Sequence, residues 1–281
     1  MNVHLVDGTY ELFRHFYGGR RFRKGADPQY GAVVGVLGTV AQMLETGVTH
    51  IGVATDHVVE SFRNLMWAGY KTGDGIEPVL WRQFHPLEDA LRAMGIVVWP
   101  MVELEADDAL ASAARLAAAD DRVGEVWIWT PDKDLAQCVR TDRVVQVDRR
   151  SKQIRDAAGV REKFGVGPEL IADYLALVGD SADGFPGIPG IGAVTAARLL
   201  NRHGPIESFP EEELGDRREL ALPFKDLATL RVDAPLFVDV DELRWTGPTD
   251  DFDAWVDRME APRLRKRVRD LLASREEGGG G

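Results

Sequence analysis

Short apolar, largely β-branched runs recur four times in the first half of the chain, at residues 3–6, 51–54, 96–99 and 126–130. Runs of this length predict buried strands, and residues 144–147 predict a fifth. Between them, over residues 32–44, 86–94 and 107–119, apolar positions return every three or four residues, which predicts helices. That alternation belongs to an α/β fold with a mainly parallel central sheet flanked by helices. From about Val160 the texture changes to helices and glycine-rich turns, with residues 168–178 and 193–201 read as helical. The expected organisation is an α/β core over residues 1–160 and a helical lobe over 161–277, ending in a disordered tail at 278–281.

A chain of 281 residues can bury a substantial core without covalent staples. Its single cysteine, Cys138, excludes an internal disulfide and a cysteine-based zinc cage. The start, Met1-Asn2-Val3-His4, is neither basic nor followed by a long apolar run, and no later segment has the length of a membrane span, so a soluble, cytoplasmic protein is expected. Two stretches are basic: 18–27, with Arg20, Arg21, Arg23 and Lys24, and 263–269 on a terminal helix. Each reads equally well as a contact surface or as a solvated face. A formal net charge of −12 speaks against a polyanionic partner unless the acids are gathered in one place.

They are gathered. Ligands of open α/β sheets collect beyond the carboxyl ends of the strands. Asp7 follows the first apolar run, Asp56 the second, Glu105, Asp107 and Asp108 the third, and Asp132 and Asp134 the fourth. The helical lobe adds Asp180 and Asp183, spaced so that one helical turn would put both on one face. Nine carboxylates in one site would repel strongly unless cations neutralised them, and hard oxygen donors suit Mg²⁺ or Mn²⁺ rather than zinc. Setting these nine aside takes the formal balance from −12 to −3, and the objection to a nucleic acid weakens. A lone aspartate at a strand end is usually a cap or turn former; it is the repetition that points to metal.

Several local motifs accompany the acids: Val6-Asp7-Gly8-Thr9, Ser61-Phe62-Arg63 with Gly69-Tyr70-Lys71, Glu105-Ala106-Asp107-Asp108, and Thr130-Pro131-Asp132-Lys133-Asp134-Leu135. In order and spacing the chain resembles the 5′-nuclease family over nearly its whole length, to about Leu271. That family comprises bacterial and phage 5′-3′ exonucleases, the amino-terminal nuclease domain of DNA polymerase I, and flap endonucleases. The resemblance implies a PIN-like nuclease core with a helical arch over about 63–95, and a helix–three-turn–helix over about 172–203. It implies one metal held by Asp7, Asp56, Glu105 and Asp107, and another by Asp132, Asp134 and Asp183, with Asp107 shared and Asp108 and Asp180 acting through water. Two or three Mg²⁺ or Mn²⁺ ions are implied. Arg63 and Lys71 would face the scissile phosphate from the base of the arch, Tyr70 would stack on a terminal base, and Arg14 and Arg82 would contact DNA. In the glycine-rich hairpin, Gly187, Gly190 and Gly192, with Thr195, would bind the duplex backbone, with a K⁺ ion on backbone carbonyls. The physics is compatible, because glycines admit close approach and amides opening a helix donate to phosphate.

Three departures from the family stand out: Asp74 where another basic residue is usual, Gly184 after Asp183 in place of an asparagine, and Arg82 as the only Lys or Arg within residues 73–86. No polymerase region is present, so a free-standing enzyme is expected, acting as a monomer on DNA with a 5′ end, flap or nick in replication or repair, without a membrane partner. The implied chemistry is phosphodiester hydrolysis by two metal ions about 4 Å apart. Two other readings compete: a PIN-type ribonuclease, opposed by the hairpin and second lobe, and a catalytically inactive DNA-binding scaffold, opposed by the complete acid set.

Overall fold

A computed structural model of the chain describes residues 1–20, 25, 27–140 and 143–278, without the side chains of 20 and 276–278. Residues 21–24, which carry most of the basic 18–27 stretch, and the tail residues 279–281 lie outside the described residues.

Six strands form one sheet: β1 (Asn2–Asp7), β2 (His50–Asp56), β3 (Val97–Met101), β4 (Glu125–Trp129), β5 (Val144–Asp148) and β6 (Gln153–Arg155). Their order is β3-β2-β1-β4-β5-β6, parallel throughout except for the β5–β6 pair. The five apolar runs are therefore the five parallel strands. The antiparallel β6 is only three residues long and too short to carry a readable pattern. Chain direction across the sheet reverses between β1 and β4, so their carboxyl ends flank a crevice; Asp7 ends β1 on one side of it, and Asp132 follows β4 on the other.

Helices cover both faces. On one, α1 (Gly8–Arg20), α2 (Gly31–Glu45) and, after the single turns α3 (Arg63–Met66) and α4 (Pro78–Trp81), α5 (Phe84–Ala93) pack on Val6, Ile51 and Val53. On the other, α6 (Ala106–Ala118) lays Ala109, Ala113 and Ala117 against Val3, Leu5 and Val126, small side chains that let helix and sheet approach closely. α1 escapes a periodicity reading because it starts directly after the last residue of β1, with no intervening loop. The expected arch region is only α3, α4 and their connections leading into α5, with Tyr70 and Leu80 buried.

The second core is helical. α7 (Ala157–Phe164), α8 (Ile171–Val178), α9 (Ala193–His203), the single turn α10 (Glu211–Leu214) and α11 (Arg218–Ala228) close around Phe185, Leu199 and Phe224. α12 (Phe252–Arg258) and α13 (Pro262–Gly278) return to the first core, burying Phe252, Val256, Leu264 and Val268 beside α2, with Arg267 paired to Glu45 at 2.8 Å. Packing thus sets them apart from the helices of the second core that precede them in sequence. No described helix is long and apolar enough to cross a membrane.

The hairpin between α8 and α9 depends on backbone-to-backbone packing. Gly187 has φ +71°, and a Cβ there would lie 2.3 Å from the amide nitrogen of Gly179. It is buried, so the expectation that it contacts DNA is corrected: it is the hinge of the turn. Gly190, at φ +83°, has open space around it. Gly187→Ala should therefore cost about 2 kcal/mol or more, against about 1 kcal/mol for Gly190→Ala, where only the left-handed backbone is penalised. Urea unfolding of the two variants measures the difference, and equal losses would contradict this packing.

Candidate metal centre

Eight of the nine expected acids converge on the crevice. Asp7 ends β1 and is pinned there by two donors, the Tyr10 amide (2.8 Å) and the Thr130 hydroxyl (3.0 Å). Asp56 ends β2 and accepts from the amide of Ala106 at 2.8 Å, which ties it to the start of α6. Glu105, the residue before α6, accepts from Ser61 Oγ at 2.5 Å, the Tyr70 hydroxyl at 3.2 Å and Lys71 Nζ at 2.9 Å. Asp132 accepts from the amide of Asp134 at 3.0 Å. Asp134, Asp180 and Asp183 each bring a carboxylate oxygen within 4.8 Å of the others.

Burial and mutual repulsion mark these groups as a unit. Burial first, then Asp56 and Asp132, push Asp7 up to about 7. Asp107 is raised well above the usual carboxylate range by burial and by Asp132 and Asp7, and Asp134 by burial and by Asp132, Asp183 and Asp180. Burial is also the leading cause of the upward shifts of Asp56 and Asp183. The chain of influence links β1, β2, α6, the segment after β4 and the turn after α8. Positive groups sit among them: Lys133 Nζ pairs with Asp180 at 2.9 Å, and Lys71 Nζ bridges Glu105 at 2.9 Å and Asp183 at 3.0 Å. Burial alone would lower the pKa of Lys71, but those two carboxylates outweigh it and hold the ammonium protonated.

The residues present fit divalent metal. All donors are carboxylate oxygens, and Asp134 Oδ1 is shut off from solvent without a hydrogen-bond partner, a costly state that a cation relieves. Asp180 belongs directly to this group; its carboxylate is 3% exposed and also takes Lys133 Nζ at 2.9 Å. Contrary to the spacing expected for a helical turn, Asp180 and Asp183 do not share a helix face. They lie in a turn closed by paired backbone bonds between Asp180 and Phe185.

Asp108 does not join the cluster. It points the other way, into a bidentate pair with Arg63 at 2.7 and 2.8 Å, while also accepting from the amides of Glu105 and Arg231. Arg63 is 1% exposed and gives its Nε to the carbonyl of Leu227 just below the end of α11. Arg63 thus faces no phosphate; it locks α3, α6 and α11 together. Tyr70 is likewise 3% exposed, its ring in the second core and its hydroxyl on Glu105, so no base can stack on it. Arg14 is held by Glu11 and Thr39 and lines a separate cavity. Arg82 is exposed; so are Gly190 and Gly192, while Thr195 is half-buried. Gly192 caps α9 without a side-chain bond, which leaves amides of the first turn available.

Gly184 has a physical reason. At φ +81°, a Cβ there would lie 2.0 Å from the carbonyl oxygen of Gly69, while Trp67 Nε1 donates to the Gly184 carbonyl and the Lys71 amide to that of Asp183. The asparagine usual in the family is excluded by this stitching of residues 67–71 to the Asp183 turn. Asp74 is exposed beyond it. Sequence reasoning missed Ser61, Thr130 and Lys133 as supports of the carboxylates, although all three stand inside the motifs it used.

Two outcomes follow. Asp7 moves from 3.8 to about 7 on folding, so the folded chain keeps a proton that the unfolded chain releases. The stability this confers is present at low pH and is lost as pH rises from about 4 to about 7. Melting of the metal-free protein in chelator should show that decline, and Asp7→Asn should flatten it; an unchanged slope would contradict the assignment. Asp108→Ala strands a buried guanidinium and should cost about 3–5 kcal/mol in denaturant unfolding.

Comparison with known proteins agrees with the fold. The family model for the 5′-3′ exonuclease N-terminal, resolvase-like domain matches residues 2–165, and that for the 5′-3′ exonuclease C-terminal SAM fold matches residues 166–251. DNA polymerase I of Pseudomonas aeruginosa is 36% identical over 259 residues, covering 85% of this chain and 28% of that protein; the chain spans about a third or less of the polymerases it matches first. A 5′-3′ exonuclease of Buchnera aphidicola (subsp. Schizaphis graminum) is 29% identical, covering 85% of this chain and 89% of its own length. Among solved structures, the T5 5′-exonuclease with bound zinc superposes with a TM-score of 0.68 at 18% identity, over 97% of this chain and 99% of that one. The catalytic core of Rad2 with DNA substrate does so with 0.62 at 14% identity, over 95% and 91%. The chain belongs to the 5′-3′ exonuclease family.

Proposed function

We propose that this chain is a divalent-metal-dependent 5′ nuclease that hydrolyses phosphodiesters in DNA bearing a 5′ end, flap or nick, in replication or repair. The observation that carries the reading is the convergence of eight carboxylates from five separate segments, with Asp134 Oδ1 unpartnered in their midst. Such a set has no use in a passive scaffold, since it repels phosphate unless metal is bound. The solved T5 flap endonuclease and Rad2 structures with DNA support the choice of substrate.

Asp7, Asp56, Glu105 and Asp107 would hold one Mg²⁺ or Mn²⁺ ion, and Asp132, Asp134, Asp180 and Asp183 another. Bound metal would supply an activated water and charge stabilisation for the leaving oxygen, giving a 5′-phosphate and a 3′-hydroxyl. Lys71 bridges the two halves of the site; once metal relieves Glu105 and Asp183, its ammonium is free to meet a phosphate oxygen. The exposed Gly190–Gly192 stretch and the first amides of α9 would seat the duplex backbone, with K⁺ on nearby carbonyls. In this reading residues 1–160, joined by Asp180 and Asp183, form the catalytic part, and the helices of the second core bind DNA, while α12 and α13 belong to the first core.

End-labelled flap, nicked, blunt and single-stranded DNA, incubated with Mg²⁺ or Mn²⁺, should be cut with products set by the 5′ end, and matched RNA flaps should not. Asp107→Ala and Asp183→Ala should each lower cleavage by at least about 100-fold while the protein stays folded. Full activity in either variant, or preferential cutting of RNA, would refute the reading.

A further inference from the structure

Away from the carboxylate rim lies an open cavity of about 1150 Å³, between α1 and α2 on one side and the bare face of β4–β6 on the other. α1 and α2 cover this sheet face only as far as β1, which leaves an aromatic floor. His4, Trp127 and Trp129 run across it with ring centroids 5.6 and 6.0 Å apart and planes inclined by 25–32°. The guanidinium of Arg149 stacks 4.3 Å from the centre of Trp129.

The charges are as distinctive as the rings. In a chain of net charge −12, the described lining contains Arg14, Arg149 and Lys152 and no carboxylate. Arg14 is satisfied by the buried Glu11 beneath the wall, but Arg149 reaches the same carboxylate only at 3.8 Å, and its Nε has no hydrogen-bond partner. Lys152 is exposed at the rim. Burial, then Arg149, hold His4 down to about 4, so at neutral pH it stays uncharged and accepts a hydrogen bond from Trp129 Nε1. Planar rings beside an under-satisfied guanidinium select a ligand that is flat at one end and anionic at the other.

We propose that this cavity binds a nucleotide, its base against the Trp127–Trp129 floor and its phosphate at Arg149 and Lys152. The choice of nucleotide among flat anions rests on the nuclease reading, in which nucleotides are both substrate units and products. Two sources share the chemistry: a released 5′-mononucleotide, or one unit of a single strand beside the site. A pocket of this volume is ample for either.

Calorimetric titration of the full chain in chelator, where no cleavage occurs, separates this proposal from the nuclease reading. dAMP should bind, and deoxyadenosine and inorganic phosphate should each bind at least about tenfold more weakly. Trp129→Leu and Arg149→Ala should each weaken dAMP by about tenfold or more, and Asp183→Asn should leave it unchanged. Because Trp129 and Arg149 are part of the packing, Lys152→Glu at the exposed rim is the check that does not depend on folding, and it too should weaken dAMP. A short single-stranded oligonucleotide binding more tightly than dAMP identifies the strand as occupant, and equal or weaker binding identifies the released nucleotide. No binding to the wild-type chain, binding indifferent to all three cavity substitutions, or binding lost in Asp183→Asn would overturn it.

Discussion

Carboxylates forced together out of water are the constraint on which this molecule turns. Isolated, each would take up a proton or seek solvent. Here eight of them are delivered by β1, β2, α6, the segment after β4 and the turn after α8, and burial lifts Asp107 and Asp134 well above the usual carboxylate range. The fold holds this arrangement partly through donors from neighbouring elements, Tyr10 and Thr130 on Asp7, Ala106 on Asp56 and Ser61 on Glu105. The unspent part of the repulsion is what cations relieve. Lys71 already does so on one side, between Glu105 and Asp183.

Alignment of the two cores follows from interactions just outside the cluster. Arg63 and Asp108 join α3, α6 and the end of α11 with no solvent to screen them, and the bond from Trp67 to Gly184 seats the Asp183 turn against the first core. A buried pair of this kind adds little net stability compared with apolar packing, but it is costly to break from one side, so it fixes relative position. Asp183 belongs to the second core and Glu105 to the first, yet one ammonium bridges both. The carboxylate cluster is thereby an interface property, complete only when the two cores are in register.

Much of this was legible in the sequence. An aspartate at the end of a buried apolar run has one place to go, the carboxyl rim of a parallel sheet, so Asp7, Asp56, Asp132 and Asp134 could be located from strand pattern alone. The roles of Arg63, Tyr70 and Asp108 could not. Arg63 and Asp108 also bind the carbonyls of Leu227 and Thr229 and the amide of Arg231, more than 120 residues away, and a motif says which residues recur but not which way they point. Glu105 and Asp108 do carry a local signal, an acid at the cap and another three residues on, and α6 uses it as a reciprocal cap. The cavity over Trp127 and Trp129 was beyond sequence reasoning for another reason: among the described residues no helix covers β4–β6 on that face, and an uncovered surface leaves no pattern.

The central claim is that the convergent carboxylates hold divalent metal. Crystals grown with Mn²⁺ and measured at its absorption edge test it most directly. An anomalous peak among Asp134, Asp180 and Asp183, with Lys71 Nζ moved off Asp183, is the predicted result. Mn²⁺ absent from that position at saturating concentration, with the Lys71 bridge intact, would contradict the account.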